Sequence, residues 1–109
     1  MLWDNVRKEE QSMAGTVCYQ LYMGEMRNEV LYLGYPLALT PIEYQILRKL
    51  VERQDGVPIS DLLVMRQGKS ISQATLTVHI CRINQKAAVI GERKMIMLES
   101  GKYYLNPLM

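Results

Sequence analysis

Residues 72–86 read Ser72-Gln73-Ala74-Thr75-Leu76-Thr77-Val78-His79-Ile80-Cys81-Arg82-Ile83-Asn84-Gln85-Lys86. Leu76, Ile80, Ile83 and Ala87 stand at offsets 0, 4, 7 and 11, the spacing of one buried stripe on a helix. Ser72 occupies the N-cap position, with Gln73, Ala74 and Thr75 as the first turn. The opposite side carries Ala74, Val78, Cys81, Arg82 and Gln85, with Lys86 at its end. No acidic residue falls between positions 62 and 91. A face of this kind suits the major groove of DNA. The same periodicity also describes a structural helix whose polar side faces water.

Immediately before this helix, Gln67-Gly68-Lys69-Ser70 is a polar loop. Ahead of the loop, Ser60 is positioned to cap a short helix over residues 61–66 that buries Leu62, Leu63 and Met65. Two helices joined by a short connection form a helix-turn-helix-like unit. A stronger start signal lies upstream. In Thr40-Pro41-Ile42-Glu43, Thr40 can cap, proline suits the first helical position, and Glu43 closes a capping box. That helix runs to about residue 53 on a stripe of Ile46, Leu47, Leu50 and Val51, and Gln54-Asp55-Gly56 ends it.

Strand patterns flank the helices. Residues 16–23, T-V-C-Y-Q-L-Y-M, alternate and are rich in strand formers. Residues 30–33 give a second strand, Gly34-Tyr35-Pro36 a turn, and residues 37–39 a short third strand. Together they predict an N-terminal antiparallel sheet packed beneath the helices, since an isolated hairpin is marginal in water. Beyond Gly91, residues 94–99 alternate, Ser100-Gly101-Lys102 turns, and residues 103–105 return as a partner strand. A hairpin after a helix-turn-helix is a winged helix. The predicted class is therefore α+β: an N-terminal antiparallel sheet, three helices and a C-terminal β-hairpin wing.

The totals agree with one domain. A chain of 109 residues buries roughly 60–70% of its unfolded surface, enough for one core. Residues 1–15 read as a flexible tail or linker and residues 16–109 as the domain. Cys18 and Cys81 share no metal-ligand spacing and suit free thiols in a reducing compartment, which points to the cytoplasm. No membrane span, secretory core, metal cluster, phosphate loop or paired-carboxylate motif appears, so neither a cofactor nor an enzymatic activity is expected. His79 and Cys81, two apart on a helix, point in different directions and form no dyad. Charge is unevenly spread. Residues 1–61 hold six Lys/Arg against nine Asp/Glu, net −3, and residues 62–109 hold seven against two, net +5. A basic half of this kind favours a polyanionic partner.

In order and spacing, residues 16–105 resemble the OmpR/PhoB-type DNA-binding domain, the effector domain of bacterial response regulators in two-component systems. Leu39-Thr40-Pro41-Ile42-Glu43-Tyr44-Gln45-Ile46-Leu47 is similar to that family's L-T-x-x-E-x-x-L-L pattern. Val57-Pro58-Ile59-Ser60-Asp61-Leu62-Leu63 is similar to its entry into the second helix. Residues 78–86 are close to the V-D-V-H-I-x-R-L-R-x-K run of its recognition helix. The resemblance implies transcriptional regulation by sequence-specific binding of double-stranded DNA, with the third helix in the major groove. It implies base contact by Arg82, whose guanidinium fork matches guanine O6 and N7. A surface ion pair with Glu92 or Glu99 is the alternative for Arg82. Val78 then meets a thymine methyl or simply packs. Thr77 and Gln85 bond phosphates or bases, while Lys86, Lys69 and Lys102 contact phosphates. The residue 64–72 loop stands where family members touch RNA polymerase, and a homodimer on DNA would add affinity.

Several positions depart from the family pattern. Asn84 stands where a phosphate-binding arginine is usual, and Ala74 replaces another arginine. The wing reads Glu99-Ser100-Gly101-Lys102-Tyr103 in place of R-G-x-G-Y, and the 64–72 loop is short and lacks the family's tryptophan. These losses favour an alternative in which a degenerate winged helix binds protein and has little DNA affinity.

Overall fold

The computed structural model describes residues 15–24, 29–65 and 68–107. The expected tail therefore lies outside the described residues, except that Gly15 already belongs to a strand. In chain order the elements are β1 (Gly15–Cys18), β2 (Leu21–Gly24), β3 (Val30–Tyr32), β4 (Tyr35–Pro36), α1 (Pro41–Glu52), β5 (Val57–Pro58), α2 (Ile59–Leu62), α3 (Gln73–Ala88), β6 (Ile96–Glu99) and β7 (Lys102–Leu105). The first four strands form an antiparallel meander, and the last three form a second sheet in the order β5-β7-β6. This is the predicted winged-helix architecture.

The N-terminal sheet differs in detail from its sequence reading. Residues 16–23 are two strands joined through Tyr19-Gln20, with Cys18 paired to Leu21. Nothing in the unbroken alternation marks a turn, because Tyr19 adopts the left-handed region at φ 54° without being glycine. The turn reverses the inside-outside phase: Val17 is 48% exposed, whereas Leu21 and Met23 are sealed in the core. The next turn is Leu33-Gly34, at φ 53° and 83°, not Gly34-Tyr35-Pro36. Two positive φ values make a type I′ hairpin turn, and glycine takes its second position without strain. Tyr35 and Pro36 thereby become β4. Residues 37–39 form no strand. Leu37 donates one backbone bond to Val30, and the chain then runs on to the Thr40 cap.

Helix α1 begins as its sequence dictates. Thr40 Oγ1 accepts from the Glu43 amide at 3.3 Å, and Glu43 Oε1 accepts from the Thr40 amide at 3.0 Å. Both halves of the capping box are made. Helix α2 is shorter than predicted and starts earlier. Its N-cap is Pro58, without a side-chain cap, and Ser60 lies inside the helix. The Ile59 amide instead bonds the Gly101 carbonyl of the wing turn at 3.2 Å. The helix stops at Leu62 because the chain folds back on itself. Val64 bridges Ser70, the Ile71 amide reaches Leu63 O, and the Met65 amide reaches Lys69 O. At the other side, Lys49 Nζ satisfies the Asp61 and Val64 carbonyls at 2.8 and 2.5 Å.

The core is continuous across both sheets. Leu76, Ile80, Ile83 and Ala87 of α3 are buried as the spacing predicts, against Ile46, Leu47, Leu50 and Val51 of α1. Met95, Ile96, Tyr103 and Leu105 close one side, and Leu21, Met23, Val30 and Tyr32 close the other. Tyr44 donates its buried hydroxyl to Gly24 O at 2.9 Å, which ties α1 to β2. Helix α3 is thus packed into the core along one face, leaving the opposite face exposed.

Candidate nucleic-acid interface

Ser72 fixes the start of α3. Its Oγ accepts from the Thr75 amide at 3.1 Å and donates to Thr75 Oγ1 at 2.9 Å. From this start, positions 74, 78, 82 and 85 follow the helical repeat along the side opposite the buried stripe. Ala74, Val78, Cys81, Arg82 and Gln85 are all exposed there. Val78 keeps 46% of its surface in solvent. Arg82 sits in the middle of this ridge and makes no ion pair or hydrogen bond with any described residue. The pairing with Glu92 or Glu99 that the sequence left open is not made. Thr77 is also exposed, but its hydroxyl proton is donated to Gln73 O at 3.0 Å. It therefore faces solvent mainly as an acceptor.

Two polar residues of α3 are turned to other work. Lys86, expected at the end of the ridge as a phosphate contact, places Nζ 2.6 Å from Glu43 Oε1. Glu43 is almost wholly buried, so its carboxylate needs that cation. Burial pushes the Glu43 carboxyl up. The bond from Lys86, the Thr40 amide and the nearby charges of Lys86 and His79 outweigh that effect and hold it below its ordinary value. Glu43 therefore caps α1 and anchors α3 at once. His79 lies on the same side, half-buried, and its Nδ1 has no hydrogen-bond partner among the described residues.

Asn84 is the other. Its Oδ1 accepts from the Ile96 amide at 2.8 Å, and its Nδ2 donates to the Ile96 carbonyl at 3.2 Å. Strand β6 is the free edge of its sheet, and Ile96 would otherwise present both backbone groups unpaired. Sequence reading treats Asn84 only as a missing arginine. Its partner lies twelve positions away, so no local pattern signals the contact.

The remaining expected cations come from other elements. Lys69 is exposed in the loop before α3, next to the Val64–Ser70 bridge. Lys102 opens β7 rather than forming the turn, which is Ser100-Gly101 at φ 54° and 77°. It is exposed and pairs in register with Glu99 on one side and Pro58 on the other. Arg93 and Lys94, which the sequence reading did not select, are exposed in the segment before β6. They line a shallow cleft with Asn84, Gln85, Ala88 and Glu92.

Comparison with known proteins places this geometry. No protein-family model matches the chain. It is 29% identical over 104 residues to the transcriptional activator protein PfeR of Pseudomonas aeruginosa, covering 92% of this chain and 34% of that protein. The chain thus spans about a third of the length of the curated relative it matches. Among solved structures it is similar to the DNA-binding domain of the response regulator AdeR in complex with an intercistronic region. The TM-score is 0.71 at 17% identity, over 84% of this chain and 98% of that one. It is also similar to the Klebsiella pneumoniae RstA DNA-binding domain in complex with the RstA box, with a TM-score of 0.66 at 20% identity over 84% and 97%. The fold is that of the OmpR/PhoB-type winged-helix domains of response regulators.

Proposed function

We propose that this domain binds double-stranded DNA sequence-specifically, as the effector part of a bacterial transcriptional regulator of the OmpR/PhoB kind. The observation that carries the reading is Arg82: a guanidinium without a partner among the described residues, at the centre of the exposed ridge of a helix packed into the core along its other face. With α3 in the major groove, Arg82 reads guanine through a bidentate pair. Val78 meets a thymine methyl, and Gln85 and Thr77 bond neighbouring bases or phosphates. Lys69 before the helix and Lys102 on the wing neutralise backbone phosphates on either side, which positions the domain without adding sequence information. Lys86 acts indirectly by holding α3 on Glu43. AdeR and RstA, whose domains share this fold, are described in complexes with DNA, and the PfeR match is a transcriptional activator. These relatives are regulators, which supports a non-enzymatic role in the cytoplasm. No helix among the described residues is long and apolar enough to cross a membrane.

Regulation follows from the same reading. A receiver domain elsewhere in a longer polypeptide would couple phosphorylation to binding, two copies on adjacent half-sites would supply affinity, and the 64–72 segment would meet RNA polymerase. A second reading has one specific observation in its favour. Lys86 is withdrawn from the ridge into an ion pair with Glu43, which leaves few cations on α3 for DNA and suits a domain that binds protein. Fluorescence anisotropy with a duplex selected from a random pool, repeated across salt concentrations, separates the two. DNA binding predicts an affinity that falls steeply with salt, by about one unit of log–log slope for each phosphate contact. Absence of binding near ~50 mM salt, where even non-specific phosphate contacts are strong, favours the protein-binding module.

A further inference from the structure

We infer that Asn84 is a positioning residue for DNA binding: its side-chain amide locks the wing against α3, in exchange for the phosphate contact that an arginine would make there. This rests on the DNA reading above. In the β6–β7 ladder Ile96 is paired with Leu105. Antiparallel pairing alternates, so a residue that points both its N–H and its C=O away from its partner strand does so at a non-hydrogen-bonded pair. Ile96 is such a residue, since both its backbone groups bond Asn84 instead, at 2.8 and 3.2 Å. The carboxamide thus serves as a one-residue strand on the open edge of the wing sheet. Asn106 adds a brace alongside, its amide bonding Met95 O and its Nδ2 bonding Lys94 O, both at 2.9 Å.

The chemistry makes the clamp and the arginine mutually exclusive. Ile96 presents a donor and an acceptor, and only a group with both answers it. Guanidinium has five donors and no acceptor, so an arginine at this position would leave the Ile96 amide unpaired. Asn84 lies two residues from Arg82 on α3, and Ile96 lies on the strand that pairs with the strand of Lys102. The amide therefore ties the helix that reads bases to the outer strand of the hairpin that carries a backbone cation, in addition to the β5–β7 pairing and the Ile59–Gly101 bond that hold the Lys102 strand.

A double-mutant cycle measured by fluorescence anisotropy tests this on a selected duplex, with Asn84→Ala, Asn84→Asp and Asn84→Arg each combined with Lys102→Ala. In the wild-type background, Lys102→Ala is expected to cost about five-fold in affinity and one unit of salt slope. In the Asn84→Ala background it is expected to cost less, about two-fold, because a wing held only through β5 and the core presents Lys102 to a phosphate less often. Asn84→Arg is expected to bind more weakly than wild type although it adds a cation. Asn84→Asp keeps the acceptor and should fall between wild type and Asn84→Ala. Hydrogen exchange at the Ile96 amide, measured on folded variants, should quicken in Asn84→Ala and Asn84→Arg but not in Lys102→Ala. Additive losses, an arginine variant that binds more tightly with a steeper salt slope, or unchanged Ile96 exchange would each overturn the clamp while leaving the DNA reading intact. A wild-type chain that binds no duplex at any salt would overturn both.

Discussion

Arg82 and Lys86 stand one helical turn apart on α3, both cationic and both expected at a nucleic-acid backbone or groove, yet their surroundings differ completely. Arg82 projects from the ridge with no ion-pair or hydrogen-bond partner among the described residues. Lys86 places its Nζ 2.6 Å from the buried carboxylate of Glu43, in the first turn of α1. Asn84, between them in sequence, faces a third way, toward the edge of the wing. A helix contacted by α1 on one side and by β6 on another has only a narrow sector left for a ligand. Charge on a recognition helix is thus a poor guide to contact unless the neighbours of each side chain are known. Lys86 and Asn84, on the flanks of the buried stripe, are bonded within the fold, whereas Arg82, opposite the stripe, has no partner among the described residues.

The largest effect separating the two sectors should come from the buried stripe itself. Ile83→Ala removes a fully buried side chain and should cost about 3 kcal/mol of stability, read by denaturant melts. A loss under ~0.5 kcal/mol, the range of exposed substitutions, would mean that this face is not the core face.

Glu43→Gln is next. It keeps the shape of the capping box but removes the charge that holds Lys86, and should cost about 2 kcal/mol, since Lys86 retains partial access to water. The pH dependence gives an independent reading. The Glu43 carboxyl is held below its ordinary value of 4.5 in the folded chain. Its stabilisation is then fully present above that value and is lost as pH falls through the lower folded value. Melts from neutral to acid pH should show this acid-side loss in wild type and lack its Glu43 component in Glu43→Gln. Parallel curves for the two proteins would contradict the ion pair.

Arg82→Ala should invert the pattern. Melting should change by less than ~0.5 kcal/mol, as for an exposed residue without partners, while affinity for the selected duplex falls by about 1–3 kcal/mol. Loss of stability with unchanged affinity would move Arg82 from the ridge to the scaffold.

How much of this was legible in the sequence depends on the reach of each interaction. The α1 start was readable because Thr40, Pro41 and Glu43 interact within one turn, and the α3 core face because Leu76, Ile80, Ile83 and Ala87 repeat with the helix. The second role of Glu43 was not readable, because Lys86 lies 43 positions away. Nor was the clamp from Asn84 to Ile96. The β1–β2 hairpin escaped for a different reason: Tyr19 takes a left-handed conformation that its residue type does not announce, and the strand pattern continues through it. Local chemistry predicted the elements and the ridge; contacts across the core decided which polar residues the ridge keeps.

The most direct test follows backbone amide shifts while short duplex DNA is titrated into the domain. The earliest and largest changes should fall on residues 75–86 along the α3 ridge, centred on Arg82, and at the wing around Lys102, with the N-terminal sheet unmoved. First movement in β1–β4, with Arg82 and its neighbours unchanged, would contradict the assignment of the ridge as the DNA-binding surface.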